Sequence, residues 1–320
     1  MAAIPTPYTS TTDMLRHQRV AIVVMAAMFI LAPLVVYPVF MMKVMCFALF
    51  ACAFNLLIGF GGLLSFGHAM FLGTAGYASA HAAKVWGFTP ELAILFATAA
   101  SSLLGLLTGL LAIRRQGIYF AMITLALAQM VFFFYLQAPF TGGEDGIQGV
   151  PRGRLFGLID LNQTFAMYAF VLVIFLGGFL LIYRIVHSPF GQVLKAIREN
   201  ESRAISLGYD VDRYKLLAFV LSAALAGAAG ATKALVFQLA SLTDAHWSMS
   251  GEVVLMTLLG GLGTIFGPVA GAAIIVAMEN YLSQLGAWVS VVQGLIFVVC
   301  VLAFRRGVIG EIANGIKKAL

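Results

Sequence analysis

Nine apolar runs long enough to cross a lipid bilayer dominate this chain: residues 20–38, 41–58, 66–83, 91–113, 117–137, 164–186, 214–236, 252–283 and 287–304. A helix crosses the hydrocarbon core with about 20 residues. Backbone polar groups cannot be left open to lipid, so runs of this kind must be helices. The apolar–polar alternation of a membrane β-barrel is missing from them. Composition supports the same conclusion. The 320 residues are 62% hydrophobic and only 10% charged, whereas a soluble domain is about half apolar and about a quarter charged. Too few charges remain to cover a water-soluble body of this size. No polar stretch is long enough for a separate soluble domain.

The basic residues fall in the breaks between runs, which reads as orientation in a bilayer rather than as a nucleic-acid surface. Arg16 and Arg19 place the N-terminus in the cytoplasm, and Arg114 with Arg115 lies four spans later on the same side. Lys195, Arg198, Arg203 and Arg213 return to it two spans after that, and Arg305, Arg306, Lys317 and Lys318 place the C-terminus there. Nine single spans cannot satisfy this pattern. The run 252–283 holds 32 residues and is interrupted by Gly260-Gly261-Leu262-Gly263-Thr264-Ile265-Phe266-Gly267-Pro268. Glycine and proline there break a helix, so the run divides into about 252–262 and about 268–283. The expectation is an all-α polytopic transmembrane helix bundle of about ten membrane segments (eight to ten), both termini cytoplasmic, with tails 1–19 and 305–320 flanking one membrane domain, 20–304. The first run is longer than a typical signal-peptide core and no small-residue cleavage site ends it, so it reads as a retained helix. Cys46, Cys52 and Cys300 sit in apolar runs and read as small buried hydrophobes.

Two loops stand out by length: 138–163 outside, with Thr141-Gly142-Gly143-Glu144-Asp145-Gly146, and 187–213 inside, strongly charged. In the inner loop Ser188 can cap a helix whose first residue is Pro189, and Gly208 can end it. Val193, Leu194, Ile197, Ala204 and Ile205 form an apolar stripe, with Lys195, Arg198, Glu199 and Arg203 largely off it. Such an amphipathic helix either docks in a groove of a cytoplasmic partner or lies on lipid headgroups. Gly61-Gly62-Leu63-Leu64-Ser65-Phe66-Gly67 loosely echoes Gly260–Gly267. Both clusters either let helices pack closely or mark broken helices that line a path. Hence Asn55, Gly61, Gly62, Ser65, His68, Gly260, Gly261, Gly263 and Pro268 are candidates for a translocation path. His68 equally suits packing or capping, and Asn55, Gln129 and Gln293 equally suit bonding to a neighbouring helix. Lys43, Lys233, Glu252 and Glu279 lie near outer helix ends, where snorkelling to the interface is the default.

Several function classes fall away. There is no G-x-x-x-x-G-K-[ST] sequence, no Cys/His spacing for a metal and no nucleophile elbow, so no catalytic residue and no metal site is expected. Ionisable residues at mid-membrane are almost lacking, which argues against a proton-coupled carrier.

The motifs together resemble a known family. Ser188-Pro189-Phe190-Gly191 with Ala196-Ile197-Arg198-Glu199-Asn200-Glu201, Ala204 and Gly208 is followed by Arg213-Tyr214-Lys215-Leu216-Leu217-Ala218-Phe219 and Ala226-Gly227-Ala228-Ala229-Gly230. With Asn55-Leu56-Leu57-Ile58-Gly59, Leu64–Ala69, Tyr119–Leu125, Thr141–Gly146 and Gly260–Pro268, this is similar to the permeases of branched-chain amino acid ABC importers, of the LivM type, over about 45–305. The urea importer permeases are close relatives. The resemblance implies a multi-pass protein of the bacterial inner membrane working with a second homologous permease, two cytoplasmic ATPase subunits and a periplasmic binding protein. It implies no cofactor in this chain, ATP being used by the partner. It also implies that Pro189, Gly191, Leu194, Ala196, Ile197, Arg198, Glu199, Asn200, Glu201, Ala204 and Gly208 form the helix that couples the permease to its ATPase. Transport of branched-chain or other apolar amino acids by alternating access is the function it implies. A urea or short-amide importer is the near alternative. A self-sufficient carrier or channel, and a membrane-embedded enzyme, are alternatives from other classes.

Overall fold

The computed structural model describes residues 11–282 and 307–315 and, between them, residues 288, 291–292, 294–295 and 298–299. The run 287–304 with Gln293 and Cys300, the basic residues at 305, 306, 317 and 318, and residues 1–10 of the N-terminal tail lie outside the described residues, those isolated positions apart.

Long helices build the molecule: α1 (Thr11–Leu31), α2 (Pro38–Asn55), α3 (His68–Lys84), α4 (Pro90–Ala112), α5 (Ile118–Gln137), α6 (Thr164–His187), α7 (Pro189–Glu199), α8 (Glu201–Ser206), α9 (Val211–Phe237), α10 (Trp247–Gly260), α11 (Gly267–Leu282) and α12 (Gly307–Gly315). Proline supplies the first residue of α2, α4 and α7, where its missing N–H costs no helical bond. A π-helical turn, Leu56–Phe60, extends α2. Among the described residues five helices are long and apolar enough to cross a membrane: α2 with its π turn, α4, α5, α6 and α9.

α2 and α9 form the centre. Their buried faces run round most of the helix, as helices that are apolar on all sides require. α4, α5 and α6 surround them and turn Leu103, Leu107, Met122, Phe133, Val173 and Leu181 outward. Small residues along α9 let its neighbours approach closely. A Cβ at Gly227 would strike the Ser101 side chain, and one at Gly105 would strike Ala223. Buried hydroxyls bond across these seams: Ser101 donates to the Ala223 carbonyl at 2.8 Å and Ser222 to the Ala53 carbonyl at 2.6 Å.

The division of 252–283 is present. α10 runs to Gly260, residues 261–266 turn, and α11 begins at Gly267. The two arms pack tightly, since a Cβ at Gly260 would collide with the Gly267 carbonyl and one at Gly271 with the Met256 carbonyl. At 14 and 16 residues the arms span about 21 and about 24 Å, less than the roughly 30 Å hydrocarbon core.

Loop 138–163 carries short strands that the apolar pattern does not predict. Ile147–Gln148 pairs antiparallel with Leu239–Ala240, just beyond α9, and Arg154–Leu155 pairs with Ile159–Asp160. The loop is also stitched down by side chains. Lys84 donates to the Gln148 carbonyl at 2.7 Å and Arg152 to the Val236 carbonyl at 2.7 Å. One end of the bundle therefore carries this loop and the other carries α7 and α8.

Candidate functional site

At the α7–α8 end the local sequence explains the local structure. The Ser188 hydroxyl accepts from the Gly191 amide at 3.4 Å and starts α7. One continuous amphipathic helix was expected from 189 to 208, and the structure corrects this. Asn200 leaves helical geometry (φ −158°, ψ 97°), and its Oδ1 accepts from the Arg203 amide at 3.0 Å. An asparagine that can cap the next helix competes with continuation of the first, so α7 and α8 meet at an angle there. Gly208 then ends α8 at φ +87°, a conformation that suits glycine.

Leu194, Ile197 and Ala204 of the predicted stripe are buried, and Val193 is partly so. Gly191 lets α7 rest directly on the last turn of α6, where a Cβ would meet the Ile185 and Val186 carbonyls. Ile205 and the neighbouring Leu207, a residue outside the stripe, are exposed instead, at 58% and 70%. Ala196, Glu199 and Arg203 are exposed as well. Desolvation lowers the pKa of Lys195, whose ammonium sits 5.5 Å from the Phe60 ring centroid.

Three separate sequence features converge here. The Arg198 guanidinium donates to the Gly59 carbonyl in the π turn of α2. The Gly62 position lies against the Arg198 side chain, so that a Cβ there would stand 3.0 Å from its Cγ. Asn55, one turn earlier, holds the other break with both ends of its amide. Its Nδ2 donates to the Thr264 carbonyl at 2.8 Å, and its Oδ1 accepts from the Gly263 amide at 3.0 Å. Gly263 takes φ +73° and sits between the Gly59 carbonyl and Arg198. The breaks at 61–67 and 260–268 are thus clasped to each other and to α7.

The second half of the clasp was not read in the sequence. Lys215, 4% exposed, pairs with Glu201 at 2.8 Å, and Glu201 also accepts from Gln116 at 2.8 Å. This fixes α8 to the start of α9 and to the turn between α4 and α5. With Gly61, Gly62 and Arg198 these residues border a cavity of about 200 Å³. In the sequence Lys215 stands only within the stretch Arg213–Phe219. A buried lysine followed by apolar residues is a possible signal, but its partner lies 14 residues away in another helix.

The other path candidates occupy different positions. Ser65 is buried and its Oγ accepts from the Gly67 amide at 3.2 Å, shaping the entry to α3. His68 is wholly buried between α2, α3 and α9. Its Nε2 lies 2.8 Å from Ser222 Oγ, and the edges of Phe54, Phe71 and Phe219 surround it. Gly260 and Gly261 form the end of α10, against Gly307 of α12, and Pro268 is the buried second residue of α11. Gln129 is half-buried on α5. Cys46 and Cys52 are buried free thiols of α2.

Lys43, Lys233, Glu252 and Glu279, for which snorkelling is the default from the sequence, meet partners in the structure. Lys43 pairs with Glu279 at 3.1 Å, Lys233 pairs with Asp244, and Glu252 lies within hydrogen-bonding reach of Glu279. Both lysines lie over one ring, Phe47, at 5.8 and 5.0 Å from its centroid. Pairing wins because an ionised group in the hydrocarbon region is costly unless a partner offsets its lost hydration.

A helical membrane protein with a broken-helix hairpin, its break clasped by an amphipathic loop segment, is the class that this fold and site define. The family described as the permease component of branched-chain amino acid transport systems matches residues 38–301, and the chain belongs to it. The chain is 26% identical over 288 residues to the high-affinity branched-chain amino acid transport system permease protein LivM of Salmonella typhimurium, covering 83% of this chain and 68% of that one. It is 25% identical over 289 residues to LivM of Escherichia coli, again covering 83% and 68%. The ribose import permease protein RbsC of Bacillus subtilis is 29% identical over 203 residues, 56% of this chain and 58% of that one. No solved structure matches it.

Proposed function

We propose that this chain is the LivM-type permease subunit of an ATP-binding-cassette importer, carrying branched-chain or related apolar amino acids across the bacterial inner membrane by alternating access. Its partners in this reading are a second homologous permease, two cytoplasmic ATPase subunits and a periplasmic binding protein. ATP hydrolysis belongs to the ATPase, and this subunit holds no cofactor. The α7–α8 end faces the cytoplasm, in keeping with its basic residues, and loop 138–163 faces the loaded binding protein with Glu144 and Asp145 exposed.

The contact of Arg198 with Gly59 carries the reading. It joins the amphipathic segment to the π turn of α2, and Asn55 joins that turn to the α10–α11 break. π turns inside helices recur at functional sites. ATPase closure pushes on Ile205, Leu207 and the exposed side of α7. Arg198 passes the displacement to both breaks, and the bundle reopens on the other side. The chain moves as packed, hydrogen-bonded units rather than bending continuously.

The test is Arg198→Ala in the assembled importer, with radiolabelled leucine uptake and ATPase co-purification measured together. Uptake should fall at least tenfold while the ATPase still co-purifies. Arg198→Lys, which keeps the charge and loses the planar fork, should restore part of it. Uptake that survives Arg198→Ala unchanged refutes the coupling role, and leucine uptake that persists in cells lacking this chain refutes the transport reading itself.

A further inference from the structure

The outer-end charge cluster has an excess that its own pairs do not explain. Lys43 comes from α2, Lys233 from α9, Asp244 from the turn after it, Glu252 from α10 and Glu279 from α11. Two lysines against three carboxyl groups leave one negative charge over. Lys43 answers Glu279 and Lys233 answers Asp244. Among the described residues Glu252 closes no ion pair: Lys233 and Lys43 attract it from farther off, and it lies beside Glu279. Two carboxyl groups can hydrogen-bond only if they share a proton. Such a pair is a place where a cationic group can take over that proton's role.

The position favours a ligand rather than a structural knot. Counting residues at 1.5 Å rise, all four membrane-helix members sit about 5–8 Å inside their helix ends. Two of them lie on α10 and α11, the short arms of the broken hairpin, and broken helices place substrate groups in many transporters. The paired side chains keep 12–30% of their surface open. Groups of this kind in a membrane face protein or water rather than lipid. Next to Glu252, Gly251 borders unfilled space: a Cβ there would meet no atom of the described residues within 4 Å.

We propose that Glu252 and Glu279, with Lys43 beside them, form a binding subsite for the charged backbone of a zwitterionic α-amino acid. This rests on the amino acid transport reading above. The carboxyl pair takes the α-ammonium, which brings its own donors and releases the shared proton. Lys43, the more exposed of the two lysines, turns to the α-carboxylate over the Phe47 ring. The apolar side chain is left to the surrounding helices, so selectivity among leucine, isoleucine and valine does not come from this cluster.

The test uses the full-length chain in lipid nanodiscs with the subunits that co-purify, without binding protein. Radiolabelled leucine is displaced by unlabelled leucine, by 4-methylpentanoate, which lacks the ammonium, and by leucinol, which lacks the carboxylate. Both analogues should compete at least tenfold more weakly than leucine. Glu252→Gln should weaken leucine at least tenfold and leave 4-methylpentanoate unchanged, a discrimination that a merely structural loss does not produce. Glu252→Asp should recover leucine to within about threefold. Equal competition by 4-methylpentanoate, or wild-type leucine binding in Glu252→Gln, overturns the proposal. So does leucine uptake that needs this chain in cells combined with no leucine binding to it in nanodiscs. That last pairing leaves the transport reading standing, whereas uptake independent of the chain removes the transport reading. If Glu252→Gln fails to insert, the competition series on the native chain decides alone.

Discussion

The two polar clusters of this permease are built on opposite plans. At the α7–α8 end, side chains bond chiefly to backbone: Arg198 to Gly59, and Asn55 to Gly263 and Thr264. Its ion pairs among the described residues, Lys215 with Glu201 and Arg213 with Asp210, are matched one to one. In the cluster around Phe47, ionisable side chains bond to each other, and one carboxyl group is left over. The difference separates two tasks. Bonds to backbone at helix breaks fix where helices go, which suits the coupling role proposed above. An unmatched set of ionisable groups fixes little by itself, and in the proposal above a ligand completes it.

That contrast can be broken by stability measurements on the purified chain. Asn55→Leu should have the largest effect, about 4 kcal/mol, because it leaves the Gly263 amide and the Thr264 carbonyl without their partner at about 1–3 kcal/mol each. Thermal unfolding in detergent checks it, and an unchanged melting temperature would mean the breaks do not depend on the clasp. Lys215→Met should follow at about 3 kcal/mol, since removing one member of a largely buried pair strands the other charge. Glu252→Gln should be the mildest, within about 1 kcal/mol, because it removes the surplus carboxyl group and can still hydrogen-bond Glu279. If Glu252→Gln instead destabilises as much as Lys215→Met, the outer cluster is structural and the contrast fails.

Much of the frame was legible beforehand for identifiable reasons. Apolar runs must become helices in lipid whatever their neighbours. Ser188 with Pro189 marked a helix start, Gly208 marked a stop, and Gly260 to Pro268 marked the turn between α10 and α11, whereas the starts at Pro38 and Pro90 came from the structure. Asn200 was not read as a cap because its neighbours, Glu199 and Glu201, suit a helix interior, and the preference for dividing there emerges only when Oδ1 finds the Arg203 amide. Asn55 was read with two possible roles, facing a path or bonding a neighbour. Its bonds reach residues more than 200 positions away, and no periodicity encodes that distance.

The amino-acid sequence by itself determined that this chain is helical, membrane-embedded and punctuated at 61–67, 188–208 and 260–268. Hydropathy and chain-breaking residues act locally, and lipid leaves the backbone one choice. Only the tertiary structure decided that these punctuation points meet at a single clasp, and that lysines and carboxyl groups scattered from 43 to 279 converge on Phe47. Which faces of long helices touch depends on small residues permitting close approach. Which charges pair depends on the cost of leaving any of them alone away from water.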